Sequence, residues 1–247
     1  MSPWWIAAVA TAGLAAGPAQ RAAVFATAVP TGQPRRHHCP DCGQPVLSGP
    51  RQLFSPAWVT GRCPHCGSHL ALPPLAPELV TAGVFALLAT HARSAPELAA
   101  LCLLAAGGIA LACIDIAVRR LPDLLTLPLY LGLIGLLVIA AGTGHQWGGL
   151  LRAVLAGVAL ACFYLALLLV TPTGIGPGDA KLALTVGTML GWYGWPELYV
   201  GTLCAFLAGG AYAMALLTLH RASRQDSFPF GPFMIAGAFL IILASPL

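Results

Sequence analysis

Two aspartates in apolar surroundings are the residues of this chain whose type and position most directly indicate chemistry. Asp115 lies inside a long apolar stretch, and Asp179 follows a glycine-rich break before another one. A carboxylate in or near hydrocarbon is costly, so such a residue is a functional candidate by default. The competing explanation is structural, because either acid could pair with Arg119, Arg120 or Lys181 and only hold helices together.

A pair of carboxylates a few ångströms apart can hydrolyse a peptide bond without a metal or a covalent intermediate. The two acids share one proton near neutral pH, because they cannot both ionise easily. One then acts as general base on a water, and the other acts as general acid toward the carbonyl oxygen. Gly176 and Gly178 have no side chains, so a helix or an extended substrate can approach the backbone beside Asp179. A plain turn between helices has similar glycines.

Four cysteines form a second constellation. The sequence reads Cys39-Pro-Asp-Cys42-Gly and, after the 20 residues 43–62, Cys63-Pro-His-Cys66-Gly. Two C-x-x-C knuckles at this separation can supply four thiolates to a tetrahedral zinc. Four thiolates leave no open coordination position, so we predict a structural zinc. The alternative is a redox-active or free thiol pair.

The composition indicates the elements that must position these residues. Hydrophobic residues make up 58% of the 247 and charged residues 8%, against about 25% charged in a soluble domain. This balance predicts a membrane protein, and the net charge of +4 is better read as charge flanking the spans than as a nucleic-acid surface. We therefore predict an all-α, polytopic bundle of about eight transmembrane helices with a small cytoplasmic zinc-binding loop module.

The apolar stretches define the predicted spans, since a spanning helix needs about 20 residues. The candidates are 4–29, 78–92, 97–118, 124–142, 148–171, 180–194, 197–218 and 229–247. The second and sixth are short. The division that follows is a first transmembrane helix (1–29), a cytoplasmic zinc-binding module (30–77) and a transmembrane core (78–247) that carries both aspartates.

The basic residues predict the orientation, because Lys and Arg concentrate on the cytoplasmic side of spans. With the amino terminus outside, Arg93 and Arg152 lie outside. The inner side then holds Arg21, Arg35, Arg36, Arg51, Arg62, Arg119, Arg120, Lys181, Arg221 and Arg224. Both aspartates and the paired cysteines would then face the cytosol, where thiols stay reduced and bind metal.

The motifs around the aspartates resemble those of a known family. Ile114-Asp115, followed by Arg120-Leu-Pro-Asp-Leu-Leu-Thr-Leu-Pro-Leu, is similar to the first signature of the type IV prepilin peptidases. Gly176-Pro-Gly-Asp-Ala-Lys-Leu resembles the second, which carries the Gly-x-Gly-Asp pattern of intramembrane aspartyl proteases. The cysteine pairs ahead of both fit the zinc-bearing loop of longer bacterial members, so the resemblance covers most of the chain.

The resemblance implies an aspartic endopeptidase of the bacterial inner membrane. Such enzymes remove the basic leader of prepilins and pseudopilins, in type IV pili and type II secretion, by cleaving after a glycine at the cytoplasmic membrane edge. Asp115 and Asp179 would be the catalytic pair. Asp123 would be a supporting acid near the active-site mouth, and Lys181 would position groups or balance charge. The expected partners are the pilin substrate and the lipid bilayer, without nucleic acid.

A second activity is left open by the resemblance. Many members also methylate the new amino terminus with S-adenosylmethionine. This chain reads Gly17-Pro-Ala-Gln-Arg21 where members often have Gly-Ser-Phe-x-Asn-Val, and it keeps only Glu78 of a later Arg-Tyr-Pro-x-x-Glu pattern. The sequence shows no glycine-rich Rossmann fingerprint, so both outcomes stand.

Two other classes of protein compete with the protease. An ion-coupled transporter also uses intramembrane acids and broken helices, but it predicts acids near the midplane and an internal repeat. A membrane adaptor built around the zinc module would leave both aspartates without a role.

Overall fold

The computed structural model describes residues 3–30, 32–47, 56–170, 176–219 and 228–245. These residues form nine helices and only isolated bridges of extended structure. The helices are α1 (Pro3–Thr27), α2 (Pro56–Thr60), α3 (Ala76–Ala89), α4 (Ala95–Val118), α5 (Asp123–Gly144), α6 (Trp147–Val170), α7 (Pro177–Tyr193), α8 (Trp195–Thr218) and α9 (Gly231–Ala244).

The all-α, multi-helix architecture expected from the sequence is confirmed. Each of the eight predicted spans coincides with one helix, and the short α2 belongs to the polar segment between α1 and α3. Four of the described helices, α4, α5, α6 and α8, are long and apolar enough to cross a membrane, and α3 and α9 are shorter apolar helices. The chain is therefore a multi-pass membrane protein, while its orientation and its division into three parts stay predictions.

Prolines mark where many of the helices begin. Seven of the nine described helices, all but α5 and α6, have proline at the first or second helical position. Proline suits that position because its backbone has no N–H to satisfy and its φ angle is already helical. At α4, the Ser94 side chain also accepts a hydrogen bond from the Glu97 N–H at 3.4 Å. Local sequence thus fixes these helix starts.

Small residues let α6 and α7 pack closely. A methyl group added to Gly187 of α7 would lie 3.0 Å from the Gly157 Cα and 3.1 Å from the Ala156 carbonyl oxygen of α6. Close approach through small side chains is a common way for membrane helices to associate. This contact fixes α7, which carries Asp179 at its start, against the bundle.

The outer faces of α6 and α8 are apolar and exposed. On α6 they present Leu151, Leu155 and Leu169, and on α8 Leu203 and Leu207. Buried leucines occupy the interior instead, so these faces are suited to contact with lipid chains.

Arg21 differs from its predicted position as a charge flanking a span. It lies within α1, is fully buried, and forms an ion pair with Glu78 of α3 at 2.8 Å. One of the ten cations assigned to the inner side therefore forms an ion pair inside the protein and does not lie in a loop. Arg51, Arg221 and Arg224, which also entered that count, lie outside the described residues.

Candidate active site

Asp115 lies in the last turn of α4, where the chain is about to leave the helix. The helix ends at Arg119, whose φ of 52° places it in the left-handed region. The Asp115 side chain is buried, with 5% of its surface exposed. Its Oδ2 accepts a hydrogen bond of 3.0 Å from the backbone N–H of Gly231, at the start of α9. Asp115 therefore joins the end of one helix to the beginning of another.

Asp179 lies in the first turn of α7, because this helix begins at Pro177 and not at residue 180, where the sequence analysis had the span begin. Its Oδ2 accepts a hydrogen bond of 2.8 Å from the N–H of Gly176, the residue that caps the helix. A carboxylate at the third helical position that binds the capping N–H is half of a capping box. Its negative charge is also favoured at a helix amino terminus. The local sequence thus orients Asp179.

Both aspartates line one cavity of about 880 Å³. They lie close enough for the charge of Asp179 to act on Asp115. Within the described residues, the Oδ1 atom of each has no hydrogen-bond partner. The remaining lining residues are Thr27, Val29, Gln33, Pro34, Arg35, Arg119, Arg120, Leu121, Pro122, Asp123, Leu124, Gly176, Pro177, Gly178, Lys181, Phe228 and Phe230. The cavity thus offers two carboxylate oxygens to a water and a substrate.

Gly178 lines the same cavity at a narrow point. A methyl group at this position would lie 2.9 Å from the Cβ of Leu121. Glycine therefore allows the start of α7 to approach the loop between α4 and α5, as expected for a glycine placed there.

Asp123 and Lys181 form an ion pair at the mouth of the cavity. The Lys181 Nζ lies 2.5 Å from the Asp123 Oδ1, and both side chains are more than half exposed, at 51% and 70%. An exposed pair of this kind contributes only about 0.2–1 kcal/mol. It connects the first turns of α5 and α7, and it occupies Lys181, so this lysine is not the partner of Asp179.

Arg120 is also engaged elsewhere. Its Nη1 donates to the carbonyl oxygens of Val29 and Pro30 at 3.4 and 3.3 Å. Lys181 and Arg120 therefore do not serve as ion-pair partners of the two buried acids, as the structural explanation of these acids had required.

The four cysteines form one cluster with the geometry of a metal site. Their Sγ atoms all lie within 4.8 Å of one another, with 3.7 Å between Cys39 and Cys66 and 3.8 Å between Cys42 and Cys63. Four thiolates around a tetrahedral zinc with Zn–S bonds of about 2.3 Å would be about 3.8 Å apart. The cluster can therefore hold a metal, and its spacing fits zinc.

Each knuckle turns back through a glycine with positive φ. The N–H groups of Gly43 and Gly67 donate to the carbonyls of Cys39 and Cys63, both at 2.9 Å, and their φ angles are 69° and 75°. Glycine adopts this conformation without strain. The Ser68 hydroxyl lies beside Cys39 and Cys66, and its hydrogen bonds lower the pKa of the Cys39 thiol to about 6 and lower that of Cys66. At Cys39 and Cys66 this favours the thiolate, the form that binds metal, whereas burial and the neighbouring thiols raise the pKa of Cys42.

Arg21 fastens the cysteine module to the membrane core. Besides its pair with Glu78, it donates to the carbonyl of Trp58 in α2, and at 3.2 Å to those of Leu72 and Pro73. Trp58 in turn packs on Phe25 of α1, with 5.4 Å between the ring centroids. In the sequence, the one sign of this arrangement is an arginine within an apolar run.

The stretch formed by residues 27–30 and 32–36, at and after the end of α1, connects the module to the cavity. Several of its residues line the cavity, and Arg36 donates its N–H to the Ala26 carbonyl at 3.1 Å. Together with the bonds from Arg120 to Val29 and Pro30, this fixes one wall of the cavity between the metal cluster and the aspartates. Sequence analysis had assigned residues 27–29 to the first transmembrane helix and residues 30 and 32–36 to the module, and had placed none of them at the active site.

The start of α9 was also missed. Phe230 lines the cavity, and Gly231 binds Asp115. The available signal was the sequence Phe230-Gly-Pro at the beginning of the last apolar run.

Comparison with known proteins covers both aspartates. The model of the type IV leader peptidase family matches residues 102–214. A protein of Aeromonas salmonicida strain A449 is 31% identical over 211 residues, which is 84% of this chain and 71% of the relative. One from Dickeya chrysanthemi is 33% identical over 233 residues, 89% of this chain and 80% of the relative.

A relative from Burkholderia pseudomallei strain K96243 is 36% identical over 212 residues, 82% of this chain and 65% of the relative. These three relatives are named prepilin leader peptidase/N-methyltransferase. No solved structure matches the chain significantly.

Proposed function

Because this chain belongs to the type IV leader peptidase family, we propose that it removes the leader of prepilin-type proteins and that Asp115 and Asp179 perform the hydrolysis. The observation that carries the proposal is the cavity shared by the two carboxylates, each held by one backbone N–H through Oδ2. The protein lies in the bacterial inner membrane, and a cleavage site after a glycine at the cytoplasmic edge is part of the proposal.

The mechanism needs one water between the two Oδ1 atoms. The ionised carboxylate takes a proton from the water as the oxygen attacks the carbonyl carbon of the substrate, while the protonated carboxyl gives its proton to the carbonyl oxygen. The resulting diol then collapses: the peptide C–N bond breaks, the carboxyl that gained a proton passes it to the leaving amine, and the other carboxylate takes a proton from one hydroxyl of the diol, which becomes the new carboxylic acid. The pair then again holds a single proton.

The substrate of the family fits this geometry. A prepilin carries an apolar helix that can lie in the bilayer, so its cleavage site would meet the aspartates at the ends of α4 and α7. Helix ends are the part of a membrane bundle nearest to water, which the reaction consumes. No comparison favours the transporter, and acids at helix ends do not match the midplane site that it predicts.

Zinc is the metal that we propose for Cys39, Cys42, Cys63 and Cys66. Its role would be structural, because four thiolates complete its tetrahedral coordination. Its binding would stabilise the folded module and, through it, the cavity wall formed by residues 27–30 and 32–36. None of the hydrolytic steps above involves the metal.

Methylation of the new amino terminus is the second candidate function. It is favoured by the names of the relatives, which include N-methyltransferase. The proposed donor is S-adenosylmethionine. Calorimetric titration of the purified protein with this compound tests the proposal, and no binding at millimolar concentration would reject it.

The proteolytic function is tested in cells that lack their own prepilin peptidase. The parent chain should convert a co-expressed prepilin to its shorter form, which separates on a gel. Asp115→Asn and Asp179→Asn should each slow conversion by roughly 10²–10⁴-fold or more, because an amide cannot carry out the proton transfers.

Glu197→Gln is the control. It replaces a carboxylate in the first turn of α8 that does not line the cavity. It should keep most of the activity. Normal processing by either Asp115 or Asp179 variant, at equal amounts of protein, would disprove the assignment of the catalytic pair.

A further inference from the structure

The backbone N–H of Gly231 is the donor that holds Asp115 from outside its own helix. The bond to Oδ2 is 3.0 Å long and buried. Gly231 is the first residue of α9, with Phe230 as its cap. The first N–H groups of a helix have no partner within the helix, so α9 is free to donate this one to the carboxylate.

The space that a side chain would need at Gly231 is occupied by the same carboxylate. A Cβ at this position would lie 2.9 Å from Asp115 Oδ2, whereas the next neighbours, Asp115 Cγ and Leu182 Cδ2, are each 3.5 Å away. Only the tip of the Asp115 side chain is therefore closer than an ordinary contact. A side chain on residue 231 would meet the reacting group before it met any other atom.

We propose that Gly231 is a positioning residue of the protease, whose N–H fixes the Asp115 carboxylate and whose missing side chain leaves room for it. The inference rests on the proposed function, because it assumes that Asp115 reacts. In this arrangement α9 is a third element of the active site, beside the helices that carry the two aspartates.

The effect of a side chain at residue 231 depends on which group moves to relieve its clash with Asp115. A methyl group at Gly231 faces the end of a short, rotatable side chain, so the least costly response is rotation of the carboxylate away from α9. That rotation breaks the hydrogen bond and moves Oδ1 from its place in the cavity, while the helices keep their packing. Displacement of a reacting group by about 1 Å can cost about 10²-fold in rate.

Gly237, two turns later in α9, provides the matched control. A Cβ there would lie 2.7 Å from the Gly201 carbonyl oxygen and 3.0 Å from the Ala205 nitrogen, both backbone atoms of α8. Backbone cannot rotate away, so Gly237→Ala must separate the two helices. It touches neither aspartate.

The experiment compares purified Gly231→Ala and Gly237→Ala in detergent, with a synthetic or purified prepilin as substrate. Gly231→Ala should lower kcat by about 10²-fold with KM near that of the parent and with nearly the parent's unfolding temperature. Gly237→Ala should lower the unfolding temperature and leave kcat per folded molecule near that of the parent. A structural role of Gly231 alone would give it the second pattern.

A double-mutant cycle gives a second readout that does not need activity. Any loss of thermal stability in Gly231→Ala should disappear in the Asp115→Ala background, because the shortened side chain no longer meets the added methyl group. For residues in contact, such non-additivity is the measured signature of interaction.

Each outcome decides the inference. A parent that does not cleave prepilins contradicts the proposed function. If the parent cleaves, a Gly231→Ala enzyme with normal kcat overturns the positioning role. A Gly231→Ala chain that fails to fold in both backgrounds overturns it as well, because the carboxylate would then not be what absorbs the clash.

Discussion

The buried pair between Arg21 and Glu78 provides the most quantitative test of the fold. Arg21 is fully buried, and the Oε1 atom of Glu78 has no hydrogen-bond partner among the described residues. The Arg21→Met substitution keeps the apolar stem but leaves the Glu78 charge without its cation. Removing one partner of a buried ion pair costs about 3–5 kcal/mol.

The same substitution removes donors from carbonyl groups of the cysteine module. Arg21 donates hydrogen bonds to the carbonyl oxygens of Trp58, Leu72 and Pro73. Each of these bonds that is lost adds about 1 kcal/mol to the loss of stability. In a chain of this size, 1 kcal/mol corresponds to about 2–4 °C in Tm. A loss of about 6–8 kcal/mol therefore predicts a drop of roughly 12–32 °C.

The assay is thermal unfolding of the purified protein in detergent, followed by tryptophan fluorescence, since Trp58 lies in the module that Arg21 fastens. In the Arg21→Met/Glu78→Met double variant no charge is left unpaired, because both charged side chains are replaced. Apolar replacement of both partners of a buried ion pair often leaves stability unchanged. The double variant should regain most of the loss, except for the share due to the carbonyl groups. Arg36→Met, at an exposed position, should change stability by less than about 0.5 kcal/mol. A single Arg21→Met variant as stable as the parent would refute the reasoning.

Two further predictions concern the metal and the packing of the helices. Cys39→Ser should lose the bound zinc that plasma emission spectroscopy detects in the parent and should lower the folding yield, because metal binding and folding are coupled; metal-free protein of full stability would contradict this. Gly187→Leu should destabilise the bundle by about 1–3 kcal/mol or more, because the added atoms would overlap Gly157 and Ala156; the measurement is a lower Tm. Gly210→Leu, at an open position of α8, should leave Tm unchanged. Equal stability of the two variants would show that α6 and α7 are not in close contact.

Most of the helices could be predicted because their signals are local. The span predicted at 124–142 is observed as Asp123–Gly144, and that predicted at 148–171 as Trp147–Val170. Length of the apolar run and the position of proline are sufficient for this. The span predicted at 78–92 is shifted to Ala76–Ala89, since Pro77 can start a helix and the polar residues after Ala89 end it.

The cysteine cluster and the two aspartates were also accessible from sequence, because each is unusual in its surroundings. Their meeting was not, since Asp115 and Asp179 reach one cavity only through the packing of α4, α7 and α9. Arg21 and Gly231 show the same limit. Their partners lie 57 and 116 positions away in the chain, and neither residue type, taken alone, indicates such a contact.

The wall formed by residues 27–30 and 32–36 has a consequence for any attempt to simplify this enzyme. A chain begun at residue 78 would retain both aspartates that we propose as the catalytic pair and the helices that carry them, but it would open the cavity along one side and remove the two carbonyl acceptors of Arg120. The cysteine module consequently helps to enclose the cavity in which we propose that the reaction occurs. Excising it would expose the reaction to bulk solvent rather than yield a minimal protease.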